Sequence, residues 1–144
     1  MLSGEYLHSI DAKGRLTIPA KFRDVLGEEF VVTKSVDRCL LIFPESDWAD
    51  FEQELKKLPR SKNARDYIRH MVGSAEKVGP DKMGRALIPQ ALRSYAGLEK
   101  DVVLTGVLDR IEIWDKSVWD ENNSKTSDNI DSITEELAAL GFNI

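Results

Sequence analysis

An α+β fold, in which two copies of one supersecondary unit share a core as a compact pseudo-twofold β-barrel with peripheral helices, is predicted by this 144-residue sequence. Three observations carry the expectation. Two segments repeat the same punctuation in the same order at a constant spacing. Each copy alternates β-rich runs with a short helix opened by proline and closed by glycine. A unit of half this length buries too little apolar surface to stand alone, whereas roughly 150 residues can bury about 70% of their extended surface around one core.

The repeat is read position by position. Asp11, Gly14, Arg15, Ile18, Pro19, Arg23 and Gly27 match Asp81, Gly84, Arg85, Ile88, Pro89, Arg93 and Gly97 at a constant offset of 70. After Gly97 the second copy gains two residues, so that Val32-Thr33 and Asp37-Arg38 fall opposite Leu104-Thr105 and Asp109-Arg110. One residue is then lost, and Phe43 and Trp48 align with Trp114 and Trp119. Insertions that fall between preserved elements are what a duplicated folding unit tolerates.

Within the first copy, the alternation of Tyr6 to Ile10 leads through Asp11-Ala12-Lys13-Gly14 into Arg15 to Ile18, which reads as a β-hairpin whose glycine supplies positive φ. Pro19 suits the first turn of a helix, Phe22, Val25 and Leu26 give it an apolar face, and Gly27 ends it. Phe30 to Thr33 and Cys39 to Phe43 are strand-like, and Val102 to Thr105 and Ile111 to Trp114 are their counterparts. Between the copies, Trp48, Phe51, Leu55 and Leu58 mark a helix ended by Pro59. Ser61 can cap a second helix with an apolar stripe of Ala64, Tyr67, Ile68, Met71 and Val72, closed by Gly73. Glu121 to Asn129 is polar throughout and reads as a flexible link, after which Ile130, Ile133, Leu137 and Leu140 describe a short amphipathic helix in need of an apolar partner surface. The expected organisation is a first unit over 1–50, connecting helices over 51–73, a second unit over 74–120, and a polar link with a C-terminal amphipathic helix over 121–144.

Composition narrows the function classes. One cysteine, Cys39, excludes an internal disulfide framework and suits a reducing compartment; in its apolar run it reads as a buried structural thiol. No stretch approaches the roughly 20 apolar residues of a membrane span, and the N-terminus has no basic flank followed by an apolar run, so a cytosolic protein without a membrane partner is expected. The formal net charge of -5 hides an asymmetry: Lys56 to Arg93 holds ten basic residues against three acidic, or +7, while Asp109 to Ile144 holds nine acidic against three basic, or -6. Such polarity fits a polyanion-binding middle and a C-terminus that is repelled by the polyanion or faces a partner; two solvated faces of opposite sign are the plainer alternative.

The repeated turn is the candidate site. Asp11, Lys13 and Arg15 recur as Asp81, Lys82 and Arg85, with the lysine displaced by one position so that Met83 stands opposite Lys13. An aspartate and an arginine four apart can pair across a tight turn simply to fix it, but an exposed pair is worth only about 0–1 kcal/mol, which explains poorly why glycine, lysine and arginine all recur. Alternatively the aspartate orients the arginine, whose planar fork of donors matches guanine O6 and N7 or a phosphate. A pseudo-twofold barrel would carry both turns on one surface. Lys62, Arg65 and Arg69 form a basic stripe along the second connecting helix, available to backbone phosphates or simply solvated.

Two Asp-x-x-x-Arg motifs, each followed by x-x-Ile-Pro at matched spacing, together with the acidic helical C-terminus, resemble the MraZ family across essentially the whole chain. These are bacterial regulators encoded at the head of the division and cell-wall gene cluster, within the wider AbrB-like swapped-hairpin DNA-binding class. The resemblance implies tandem AbrB-like repeats in one double-split β-barrel, ring-shaped homo-oligomers, and sequence-specific binding of double-stranded DNA at G-rich direct repeats in the promoter of the protein's own cluster, whose transcription it controls. It implies a protein of the cytoplasm associated with the nucleoid. Carried over by position, Arg15 and Arg85 are the base readers, Asp11 and Asp81 their positioning partners, and Lys13 and Lys82 accessory phosphate contacts.

Catalysis, metal and cofactor find no support in the residues. His8 and His70 are the only histidines, and neither falls with Cys39 or a carboxylate in a metal-ligand or triad spacing. Gly79 to Arg85 lacks the Gly-Lys-Ser/Thr ending of a phosphate-cradling loop. Trp48, Trp114 and Trp119 fit core positions better than base-stacking ones. The rival from another class is a ring-shaped interaction protein that bridges division proteins without reading DNA.

Overall fold

Strands whose residues are apolar on both faces must be covered on both sides, and that requirement organises the molecule. The computed structural model describes residues 1–143. Eight strands and six helices follow in the order β1 (Glu5–Ser9), β2 (Arg15–Thr17), α1 (Ala20–Leu26), β3 (Phe30–Lys34), β4 (Leu40–Pro44), α2 (Glu45–Leu55), α3 (Lys62–Met71), β5 (Glu76–Val78), β6 (Arg85–Leu87), α4 (Gln90–Ala96), β7 (Asp101–Gly106), β8 (Ile111–Asp115), α5 (Lys116–Asp128) and α6 (Ile130–Ala139).

Six strands form one antiparallel sheet in the order β1-β7-β8-β4-β3-β5, and β2 pairs with β6 in a separate two-stranded sheet. The six-stranded order reads alike from either end once β1 is matched with β5, β7 with β3 and β8 with β4, so the internal repeat is expressed as a pseudo-twofold at the β4–β8 seam, where Leu40 faces Ile113 and Ile42 faces Ile111. Along β4, alternate residues serve two cores. Leu40 and Ile42 join Leu16, Ile18, Phe22, Ala86, Ile88, Leu92, Val102, Leu104 and Ile113 under the β2–β6 ribbon, α1 and α4. Leu41 and Phe43 point the other way, against Trp48 of α2 and Met71 of α3. On that second face α5 lies against β7 and β8, with Trp119 edge-on to Trp114 at 5.8 Å between ring centroids.

Five expectations are corrected. The expected hairpin is split: Ile10 bridges Leu16, but β1 then pairs with β7 and β2 with β6, both from the other repeat. The strands accordingly do not close into a single barrel; a ribbon and a six-stranded sheet face each other across the main core. Residues 121–128, expected as a flexible link, are the second half of α5, whose Lys116–Asp120 and Glu121–Lys125 pairs at i,i+4 support a helix with no fully buried residue. α2 ends at Leu55 rather than at the proline, and Val25 of α1 is exposed while Phe22 and Leu26 are buried. The remaining helix expectations hold: Pro19 and Pro89 precede α1 and α4, Ser61 caps α3 through the Ala64 N–H, and α6 follows the polar segment.

Candidate nucleic-acid interface

The two repeated turns are built alike, atom for atom. In the first, the Asp11 carbonyl accepts from the Gly14 N–H at 2.9 Å and the Asp11 N–H donates to the Arg15 carbonyl at 3.0 Å, which closes a tight loop whose Gly14 has φ +87°. Asp11 Oδ1 accepts the backbone N–H groups of Lys13 (3.0 Å) and Arg15 (2.8 Å), and Oδ2 accepts Arg15 Nε–H at 2.7 Å. In the second, Asp81 Oδ1 accepts from Met83 N–H and Arg85 N–H, both at 2.9 Å, Oδ2 accepts Arg85 Nε–H at 3.0 Å, and Gly84 has φ +75°. Aspartate suits this place because its short carboxylate reaches the backbone two and four residues on. The backbone N–H of the arginine, followed by its guanidinium and the second backbone N–H, holds the Asp11 carboxyl below the usual carboxylate range; Asp81 is lowered by the same set of donors.

Both carboxylates thus hold their arginine at Nε and leave its two terminal amino groups without a partner among the described residues. The side chains remain 35% exposed for Arg15 and 26% for Arg85. The β2–β6 register sets Arg15 opposite Leu87, Leu16 opposite Ala86 and Thr17 opposite Arg85. Because side chains alternate along a strand, Leu16 and Ala86 turn inward, fully buried, and Arg15, Thr17, Arg85 and Leu87 share the outer face. The two arginines stand diagonally across the ribbon, a relation that in a regular ribbon separates backbones by about 7–8 Å. Lys13 and Lys82 are exposed in the adjoining turns, as is Met83.

Each turn is locked by the other repeat. The Gly84 carbonyl accepts from Ile18 N–H at 3.0 Å and the Gly14 carbonyl from Ile88 N–H at 2.8 Å. The Arg93 guanidinium of α4 lies over Gly14, so close that a methyl group in place of the glycine hydrogen would stand 2.7 Å from its Cζ, and Arg23 of α1 crowds Gly84 in the same way. Arg93 Nε donates to the Ile88 carbonyl at 2.9 Å, whereas Arg23 Nε is buried with no partner among the described residues. Sequence reasoning assigned no role to this second pair of arginines, although their match at the repeat offset was the available signal. Thr17 and Leu87, also overlooked, become visible only once the ribbon register is known.

The basic stripe of α3 is not brought to the same place. α3 packs on the opposite face of the six-stranded sheet from the ribbon, and Asp66 pairs with both Lys62 Nζ (2.6 Å) and Arg69 Nη1 (3.0 Å), which leaves Arg65 as the unpaired cation of the three among the described residues. His70 contacts the Ser35 carbonyl through Nε2 at 2.8 Å, His8 is half-buried on β1, and Cys39 is fully buried with its thiol pushed up to about 12 by desolvation. Trp48 and Trp114 are core residues. Among the described residues no group of three His, Cys, Asp or Glu side chains could hold a metal ion, and no helix is long and apolar enough to cross a membrane.

A family model for antitoxin-like MraZ proteins matches residues 1–69 and 71–141, two stretches that each contain one of the repeated Asp-x-x-x-Arg motifs. Among curated relatives, "Transcriptional regulator MraZ" of Clostridium beijerinckii is 49% identical over 143 residues, covering 99% of this chain and 100% of the relative. The proteins of that name from Acetivibrio thermocellus and Lachnoclostridium phytofermentans are each 48% identical, covering 99% of this chain and 100% and 99% of their own lengths. Transcriptional regulators are not an enzyme class. With both repeats matched and such relatives aligned end to end, the chain belongs to the MraZ family.

Proposed function

We propose that this protein is a sequence-specific DNA-binding transcriptional regulator in which Arg15 and Arg85 read guanines. The observation that carries the reading is the shared outer face of the β2–β6 ribbon, with two arginines each tethered at Nε and offering a terminal fork of donors. A two-stranded ribbon fits the major groove of B-DNA, and an arginine fork matches guanine O6 and N7. Asp11 and Asp81 position the readers, and Lys13 and Lys82 contact flanking phosphates. Lys62, Arg65 and Arg69 contribute at most more distant phosphate contacts, since α3 lies on the other face.

On this reading the units are AbrB-like, and their strands interleave as a ribbon that caps an open sheet. One ribbon offers little contact surface, and a formal net charge of -5 works against a polyanion. Several chains in a homo-oligomeric ring overcome both by facing regularly spaced G-rich direct repeats at once, which raises the effective concentration of each ribbon. The target is the promoter of the protein's own division and cell-wall cluster, reached in the cytoplasm at the nucleoid.

Removing an arginine costs about 1–3 kcal/mol of discrimination at its guanine. The double variant Arg15→Ala/Arg85→Ala is therefore expected to lose its gel shift on the DNA upstream of its own gene while its circular dichroism and assembled mass match the parent. A double variant that shifts this DNA as the parent does would refute the assignment.

A further inference from the structure

The two repeats present the same arginine in different company. At the constant offset of 70, Lys13, Arg15 and Thr17 match Met83, Arg85 and Leu87, so the first arginine is flanked at every second position by polar residues and the second by apolar ones. Leu87 is 57% exposed and Met83 70%. On the outer face of the β2–β6 ribbon Leu87 stands directly opposite Arg15, and Thr17 directly opposite Arg85. A single exposed leucine is ordinary on a protein surface. Here it lies across from one arginine and two residues beyond the other, on the face that carries both guanidinium forks.

The major groove offers such a side chain one partner. Guanine, adenine and cytosine edges there are hydrogen-bond donors and acceptors, and thymine alone adds an apolar C5-methyl group. An isobutyl group pressed on a polar edge strips its water and returns no hydrogen bond, whereas on a methyl group both surfaces gain by leaving water. Residues directly opposed in an antiparallel ladder have Cβ atoms about 4.5–5.5 Å apart, and successive base pairs are stacked about 3.4 Å apart. Leu87 is thus placed within two base steps of whatever Arg15 reads. Thr17, with a hydroxyl that can donate or accept, imposes no such demand beside Arg85.

We propose that Leu87 is a specificity-determining residue that packs on the C5-methyl group of a thymine within two base pairs of the guanine read by Arg15. The two halves of the ribbon then read different sequences: guanine with a neighbouring thymine on the side of Leu87, guanine with an unconstrained neighbour on the side of Thr17. The inference deepens the proposed function and rests on Arg15 as a base reader.

The test uses the full chain and the DNA upstream of its own gene, with binding followed by fluorescence anisotropy. Thymidines within two base pairs of guanines whose N7 methylation blocks binding are replaced one at a time by deoxyuridine, which removes the methyl group and keeps the base pair and its O4 acceptor. The parent is expected to lose about fourfold in affinity at one such position per half-site, the worth of one methyl group withdrawn from water. Leu87→Thr, which installs the first repeat's residue at an exposed position and spares the fold as checked by circular dichroism, should bind thymidine and deoxyuridine DNA alike. Thr17→Leu should add a second sensitive position, beside the other guanine. A parent indifferent to every replacement, or a penalty that Leu87→Thr retains in full, overturns the inference and leaves the arginines as readers. An Arg15→Ala/Arg85→Ala variant that binds as the parent does removes the reading itself, and this inference with it.

Discussion

At Asp11 and Asp81 a single carboxylate organises a whole turn, because two backbone N–H groups and a guanidinium converge on it. Both carboxyls are held below the range of a free aspartate, led in each case by the arginine's backbone N–H. Their contribution to stability is therefore complete above about pH 4 and is lost as pH falls through the depressed values. Thermal unfolding between pH 7 and pH 2 should show the Asp11→Asn/Asp81→Asn variant less stable than the parent at neutral pH, with the gap narrowing on acidification; parallel curves would mean that the carboxylates do not stabilise the turns. The pairing of Asp with Arg was legible in the sequence, since spacing alone brings them within reach. The crowding of Gly14 by Arg93 and of Gly84 by Arg23 was not, because residues 79 and 61 positions apart meet only through the β2–β6 ribbon.

Among the elements, helix starts written in local chemistry were read correctly from the sequence, although α2 ends at Leu55, short of the proline expected to end it. Ser61 precedes α3 and its hydroxyl accepts the Ala64 N–H at 3.2 Å, as a capping residue should. Ser61→Ala is expected to cost about 1 kcal/mol, measured by urea denaturation, and a variant as stable as the parent would show the cap to be idle. Strand partners were less legible. The alternation in Tyr6 to Ile10 fixes which side chains face inward but not which strand lies alongside, so β1 and β2 read as one hairpin, whereas each pairs with the other repeat. α5 went unread for a different reason: only Val118 and Trp119 at its start pack on the sheet, so no apolar period marks it, and the rest is supported by i,i+4 pairs along a polar surface.

For the whole molecule, the constant offset of 70 residues was the most informative feature of the sequence, and it survives as the palindromic order of the six-stranded sheet. Sequence alone could not show how deeply the copies interlock. β1 depends on β7, β5 on β3 and β2 on β6, and one core draws on both repeats. Residues 1–73 expressed alone should consequently be unfolded, or pair with a second copy that supplies the missing strands; a folded monomer, seen as dispersed amide resonances at single-chain mass, would contradict this interlocking. The same swap sets Arg15 and Arg85 on one exposed face rather than at opposite ends of the molecule, and the proposed function stands on that placement. Methylation interference at guanine N7 on the DNA upstream of the protein's own gene tests it most directly. Methylation should block binding at guanines that recur at regular spacing, and Arg15→Ala/Arg85→Ala should bind none of the DNA. Binding that is indifferent to N7 methylation would mean that these arginines do not read guanines.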